Sequence, residues 1–193
     1  AIFEGRTIRH TAVLAIAGKK VTEDIRKGLG ILNDEAERLK REHGYAYMPE
    51  IVDDMPIPLR PIGGRGAVEI TRGLLCQIIQ PRMEEILEIV ALEIKRSGYS
   101  KHLHSGIILT GGGSLIRGTA ALARDVLGMP VKIGIPSGFS GGFVNEVENP
   151  MYSTCVGLVM HGMKGIAGTT MDVAGNEGKS GIIQKIIDWF NEL

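Results

Sequence analysis

The chain has 193 residues, room for one large or two small domains, and 44% of them are hydrophobic while 5% are aromatic, a balance that favours an aliphatic α/β core over an all-β sandwich. Its 22 basic and 22 acidic residues cancel, which argues against a general nucleic-acid binder. There is no apolar run of roughly 18 residues and so no spanning helix in the sequence. The cysteines, Cys76 and Cys155, lie far apart in apolar surroundings and read as small core residues of a reducing compartment.

Ile2-Phe3, Glu4-Gly5-Arg6 and the apolar, β-branched stretch from Ile8 to Ala17 predict a β-hairpin. A chain that opens in mid-hairpin reads as a piece of a longer protein. Gly18 is expected to end the second arm, and Val21, Ile25 and Leu29 have the spacing of a helix face. Lys19-Lys20 reads as a solvated turn. Asn33 or Asp34 predicts the cap of a helix that runs to His43, with Glu37 at the capping-box position for Asp34 and Gly44 as its C′ residue. Taken alone, its run of charges is a solvated face with i,i+4 pairs.

From Tyr45 to Ile70 the chain turns proline-rich. Ile57–Ile62 and Ala67–Ile70 flank Gly63-Gly64-Arg65-Gly66, a hairpin signature, and proline confines such strands to sheet edges. Residues 32–80 therefore predict a small inserted subdomain. Thr71 caps a helix over Arg72–Gln80, and Pro81 suits the first turn of a second one, whose core face is Met83, Ile86, Leu87, Val90 and Ile94. His102-x-His104 has no cysteine or carboxylate partner nearby in sequence, so no metal site is read there.

Gly106–Gly118 reads G-I-I-L-T-G-G-G-S-L-I-R-G. Ile107 to Thr110 predicts a buried strand of an α/β sheet. Gly111, Gly112 and Gly113 lack a Cβ, so a ligand can approach the backbone closely, and the turn's N–H groups can face an anion or a sugar. A dinucleotide fingerprint fails because Ile116 stands where its last glycine belongs. A P-loop fails because Thr119 stands where the lysine belongs. An amphipathic helix over Thr119–Leu127, a strand over Val131–Ile135 and a Gly-rich loop over Ser137–Asn149 follow. An apolar helix with Gly157 on its surface then begins around Tyr152. Residues 164–181 have linker composition. In the last stretch Ile182, Ile183, Ile186, Ile187, Phe190 and Leu193 share a face with Trp189 at its edge, an amphipathic helix suited to a membrane interface or a protein groove.

Together these segments resemble the C-terminal half of the bacterial cell-division actin homologue FtsA, of the actin/Hsp70/sugar-kinase superfamily. G-I-I-L-T-G-G-G-S-L-I-R-G is similar to the superfamily's adenosine motif, and Y-S-T-C-V-G-L at 152–158 to its second connecting helix. I-R-H-T-A-V-L-A-I-A-G-K-K-V-T-E-D-I at 8–25 resembles the segment after the second phosphate loop. E-A-E-R-L-K-R-E-H-G at 35–44 resembles the adenosine-side helix, and 182–193 the membrane-targeting tail.

The resemblance implies an α/β, actin-like (ribonuclease H-like) domain 2 with a small inserted α+β subdomain. Residues 1–31 and 81–163 would be subdomain 2A and 32–80 subdomain 2B, with a linker over 164–181 and the amphipathic helix over 182–193. Gly111, Gly112, Gly113 and Ser114 would line the ribose and α-phosphate side, and Glu37, Lys40 and Arg41 would meet adenosine. Arg72 would meet the acidic C-terminal peptide of FtsZ, although Gly73 replaces the second arginine often found beside it. Ile183, Ile186, Ile187, Trp189, Phe190 and Leu193 would enter the membrane. Lys179, Lys185, Asp188 and Glu192 cancel, so that binding would rest on apolar burial alone.

The implied function is a scaffold that binds ATP with Mg, polymerises with itself, and tethers FtsZ filaments peripherally to the cytoplasmic face of the cell membrane at the division site. The phosphate loops and the catalytic acidic residue of the N-terminal lobe are absent from this chain. Little nucleotide affinity and no hydrolysis are expected of the chain alone. The rival readings are half of a sugar kinase or related phosphotransferase, or a module of a pilus or secretion apparatus.

Overall fold

The structure, a computed structural model, describes residues 1–59, 69–138 and 144–172. The chain divides into two units, 1–153 and 154–193. In the first, β1 (Ile2–Glu4) and β2 (Thr7–His10) form an antiparallel hairpin in which Phe3 faces Ile8. The strand ends at His10 rather than Ala17. Among the described residues no strand lies beside 11–17, and Val13 is 98% exposed. Gly18 opens helix α1 (Gly18–Leu29) instead of only closing the strand.

Helix α2 (Asn33–His43) follows after a short turn. Leu32 takes the N-cap position and makes no side-chain cap bond, so the Asp34–Glu37 capping box does not form. Glu37 is engaged instead by Lys40 and Thr22. Gly44 closes the helix with φ −65° and ψ 136°, extended rather than left-handed. Glycine is needed there for space: a Cβ would lie 2.3 Å from the Lys40 carbonyl oxygen.

The second hairpin pairs β3 (Pro56–Pro58) with β4 (Glu69–Thr71), Ile57 facing Ile70 with both buried. Its expected Gly63–Gly66 turn lies outside the described residues. Thr71 caps helix α3 (Arg72–Arg96), its Oγ1 accepting from the Leu74 N–H at 3.2 Å. The two helices expected on either side of Pro81 are one helix of 25 residues. Proline there removes the N–H that would bond to Gln77 and crowds that carbonyl. Gln77 is exposed, so water can take up its carbonyl, while Ile79 and Met83 on either side of Pro81 are both buried in the core.

Strand β5 (Ile107–Leu109) pairs in parallel with β6 (Val131–Ile133), and helix α4 (Thr119–Leu127) connects them. The strand expected to be buried is only partly so: Ile107 and Leu109 pack against the core, while Ile108 between them lies on the opposite face and is 71% exposed. A four-residue helix α5 (Val144–Val147) interrupts the segment read as a loop. The core joins α1 (Val21, Ile25), α2 (Ala36, Leu39), α3 (Leu75, Ile79, Met83, Leu87) and α4 (Leu122, Ala123, Leu127), with Ile57 and Ile70 from the second hairpin.

The second unit carries most of helix α6 (Ser153–Asp172). The helix continues nine residues into the segment read as a linker from 164, where the sequence has glycines but no proline to stop it. Residues 173–193, with the expected membrane-facing side chains Ile183, Ile186, Ile187, Trp189, Phe190 and Leu193, lie outside the described residues. No helix among the described residues is long and apolar enough to cross a membrane.

Candidate functional site

Packing of α1 on α2 sets one wall of the site. Val21 and Ile25 meet Ala36 and Leu39, all fully buried, and this pins the two helices side by side. Gly18 and Lys19 at the start of α1 then lie beside Glu37, Lys40 and Arg41, which share one face of α2 through their i, i+3, i+4 spacing. The opposite wall is Gly112, Gly113, Leu115 and Ile116, with Asn149 and Met151. Between the walls is a cavity of about 510 Å³.

The glycine wall is fixed by its neighbours. Thr110 Oγ1 donates to the Gly134 carbonyl at 2.8 Å, and the Gly111 N–H donates to the Pro150 carbonyl at 3.0 Å. Gly111 has φ 87° and ψ 169°, a conformation essentially reserved for glycine. The backbone then winds into a single 3₁₀ turn over Gly112–Leu115 rather than directly into a helix. A Cβ at Gly112 or Gly113 would meet nothing within 4 Å, so at these two residues the wall is bare backbone.

On the helical wall the Lys40 ammonium makes three hydrogen bonds: to Glu37 Oε2 at 2.6 Å, to Thr22 Oγ1 at 2.8 Å and to the Gly18 carbonyl at 3.2 Å. The Thr22 hydroxyl, 3% exposed, donates to the same Glu37 oxygen at 2.6 Å. Partial burial works to raise the Glu37 carboxyl. The hydrogen bonds from Lys40 and Thr22 and the charges of Lys40 and Arg41 outweigh it and hold the group below the ordinary carboxylate range.

Of the residues expected at a nucleotide, the structure brings Glu37, Lys40, Arg41, Gly112 and Gly113 to one cavity. Gly111 is not among its lining residues. Ser114 turns away: its hydroxyl donates to the Gly111 carbonyl at 2.7 Å, and the residue borders a separate cavity of about 310 Å³. Lys19, Asn149, Met151 and the buried Thr22 were not read as site residues. Lys19 looked like a solvated turn, and the Thr22–Glu37 contact joins two helices in a way that no spacing rule announces. His102 and His104 belong to no cluster of metal-binding side chains among the described residues.

Arg72 stands elsewhere, at the first turn of α3. Its guanidinium carbon lies 6.0 Å from the centroid of the Tyr45 ring, and that of Arg117 lies 5.4 Å from the same centroid. Arg72 Nε is buried with no hydrogen-bond partner among the described residues. The next residue, Gly73, donates its N–H to Asp54 Oδ1 at 2.7 Å, and a Cβ there would sit 3.2 Å from both Asp54 oxygens. The position therefore has no room for a second arginine unless Asp54 moves. Nearby, burial pushes the His43 imidazole below its ordinary pKa, and the positive charges of Arg38, Arg72 and Arg117 add to this.

Residues 1–157 match the family model of the cell division protein FtsA. The chain is 36% identical over 195 residues to the cell division protein FtsA of Pseudomonas aeruginosa, covering 98% of this chain and 46% of that protein. It is also 36% identical over 169 residues to FtsA of Escherichia coli strain K12, covering 84% and 40%, and 36% identical over 159 residues to FtsA of Bacillus subtilis, covering 82% and 34%. The chain thus spans less than half the length of these relatives. Two solved structures share the fold at 20% identity. MreB5 of Spiroplasma citri bound to ADP superposes with a TM-score of 0.59 over 76% of this chain and 44% of its own. MreB 5 of Spiroplasma citri bound to AMPPNP does so with 0.63 over 82% and 47%. With a family match over most of its length and an actin-like α/β architecture, the chain belongs to the FtsA family of cell-division proteins.

Proposed function

We propose that this chain supplies one wall of an adenine-nucleotide site within a cell-division scaffold that binds ATP with Mg, polymerises, and tethers FtsZ to the cytoplasmic face of the membrane. The observation that carries the reading is the single cavity in which Glu37, Lys40 and Arg41 face the bare backbone of Gly112 and Gly113. Leu115, Ile116 and Met151 offer an apolar surface to a base, and Lys19 and Arg41 offer positive charge to phosphates. In support, the two Spiroplasma citri proteins of the same fold were solved with ADP and AMPPNP. One wall alone binds weakly, so the test is an ADP titration of the 15N-labelled chain into the millimolar range. Amide shifts are expected at Gly18, Lys19, Arg41, Gly112 and Gly113. A folded chain with no shift at those positions rejects the reading.

The partner contact is placed at Arg72, and its supporting observation is the unpartnered, buried Nε beside Tyr45 and Arg117. A pull-down with an FtsZ C-terminal peptide checks it: capture by the chain and loss of capture with Arg72→Ala are expected. No capture at high micromolar peptide rejects it. Residues 32–80 would be the inserted subdomain 2B and residues 182–193 the membrane contact. Liposome flotation with and without 182–193 checks the latter, and equal flotation removes the membrane role.

A further inference from the structure

We infer that Thr22 and Lys40 are positioning residues that hold the Glu37 carboxylate at the wall of the cavity, and that Lys40 acts on a bound nucleotide through Glu37 rather than by touching it. The inference rests on the nucleotide reading for its ligand but on separate geometry for its residues.

An ammonium group has three N–H donors. All three of Lys40's are taken, by Glu37 Oε2, Thr22 Oγ1 and the Gly18 carbonyl. Nothing is left for a ligand unless one of these bonds breaks. The hydroxyl of Thr22 has one proton, and the shorter of its two bonds, 2.6 Å against 3.3 Å, goes to Glu37 Oε2 rather than to the Gly18 carbonyl. Lys40 Nζ, Thr22 Oγ1 and Glu37 Oε2 thus close a triangle with sides of 2.6, 2.6 and 2.8 Å, bridging α1 and α2 at the edge of the cavity.

Glu37 Oε2 is fully occupied by this triangle. Its other oxygen, Oε1, takes no hydrogen bond from any described residue, and the side chain is 40% exposed. The triangle therefore fixes which oxygen is offered and where: Oε1 is the acceptor available to a ligand hydroxyl or amine. Arg41, on the same face and exposed, is the cation of α2 that remains available. A charged acceptor held by two charge-assisted bonds is preorganised, which saves the ordering cost of binding. The charged groups facing Glu37 are Lys40 and Arg41 on α2, with Lys19 of α1 lining the same cavity.

The test uses Thr22→Val, which removes the hydroxyl with little change of shape, Thr22→Ser, which keeps it, and Lys40→Met. The first readout is the pH titration of the Glu37 side-chain carboxyl by 13C NMR, which needs no ligand. Thr22→Val and Lys40→Met are expected to move it upward, and Thr22→Ser to leave it in place. A Thr22→Val carboxyl that titrates as in the unaltered chain overturns the positioning role, as does Thr22→Ser behaving like Thr22→Val. The second readout is ADP affinity. Thr22→Val is expected to weaken it by ~3–10-fold, the range of one ordinary hydrogen bond, and Thr22→Ser to restore it. A double-mutant cycle of Lys40→Met with Glu37→Gln separates the two roles of the lysine. Non-additive losses are expected, and full additivity means that Lys40 touches the nucleotide itself. If the unaltered chain gives no ADP shift, the nucleotide reading fails, while the carboxyl titration still decides the positioning role.

Discussion

Gly111 and Gly112 are neighbours in one turn, yet the structure assigns them different work, and alanine separates the two. Gly111 has φ 87° and ψ 169°, where an L side chain is strained by about 1–3 kcal/mol. Gly112 lies outside the left-handed region, and a Cβ built on it meets nothing within 4 Å. Gly111→Ala is thus expected to destabilise by about 2 kcal/mol, a fall in Tm of roughly 4–8 °C for a domain of this size. Gly112→Ala restricts the unfolded chain without straining the fold, so its stability should change by less than about 1 kcal/mol in either direction. Its methyl group stands in the cavity, however, and about 1.4 kcal/mol of lost contact weakens ADP tenfold. Thermal unfolding by circular dichroism reads the first effect and the 15N titration reads the second. Equal destabilisation by both substitutions, or ADP binding untouched by Gly112→Ala, refutes the division of labour.

Pro81→Ala restores a backbone donor inside a continuous helix, so it should stabilise the chain by about 1–3 kcal/mol in urea melts, and a loss of stability would mean that the core depends on the proline ring at this position. Burial and the charges of Arg38, Arg72 and Arg117 hold the His43 pKa below 6.5 in the folded chain, so below pH 6.5 the unfolded chain takes up a proton that the folded chain refuses. Stability should therefore fall as pH drops through 6.5 toward the lower folded pKa, and His43→Gln should flatten this limb; an unchanged slope counts against it. Glu37, depressed from 4.5, adds a loss of the same sign as pH falls below that value toward its lower folded pKa. Burial, with Glu84 nearby, pushes the Cys76 thiol up to about 11, whereas Cys155 is exposed and not the core residue its apolar surroundings predict. In a Cys155→Ser variant a thiol reagent at pH 8 should therefore modify Cys76 only under denaturing conditions, and fast labelling of that folded variant would show that the site opens.

Local patterns in the sequence carried a large part of this fold. Glu37, Lys40 and Arg41 stood out only through the resemblance to the adenosine-side helix, since their charges alone read as a solvated face, and the structure brings all three to one cavity. Thr71 was legible as a cap, and Met83 and Leu87 as core, because each depends on residues within one or two turns. What failed depended on partners far along the chain. Pro81 reads as a helix start by propensity, but burial of Ile79 and Met83 in the same core keeps one helix running through it. Glu37 fits a capping box until Thr22, fifteen residues earlier, takes its carboxylate. Residues 11–17 have strand composition, but a strand needs a neighbour to accept its backbone bonds, and none lies beside them among the described residues. The aim of the Ser114 hydroxyl was set by the backbone of Gly111, which no motif encodes.

Helix α3 also acts as a ruler. Arg72 stands at one end, and near the other Glu93 Oε1 meets His10 Nε2 of the first hairpin at 2.9 Å. At about 1.5 Å per residue, these two anchor points are roughly 32 Å apart along one rod, whatever the loops between them do. A tilt at the Arg72 end cannot be absorbed by a change in that length. It must appear as a swing at the hairpin, or as bending at Pro81, where the rod lacks a rung.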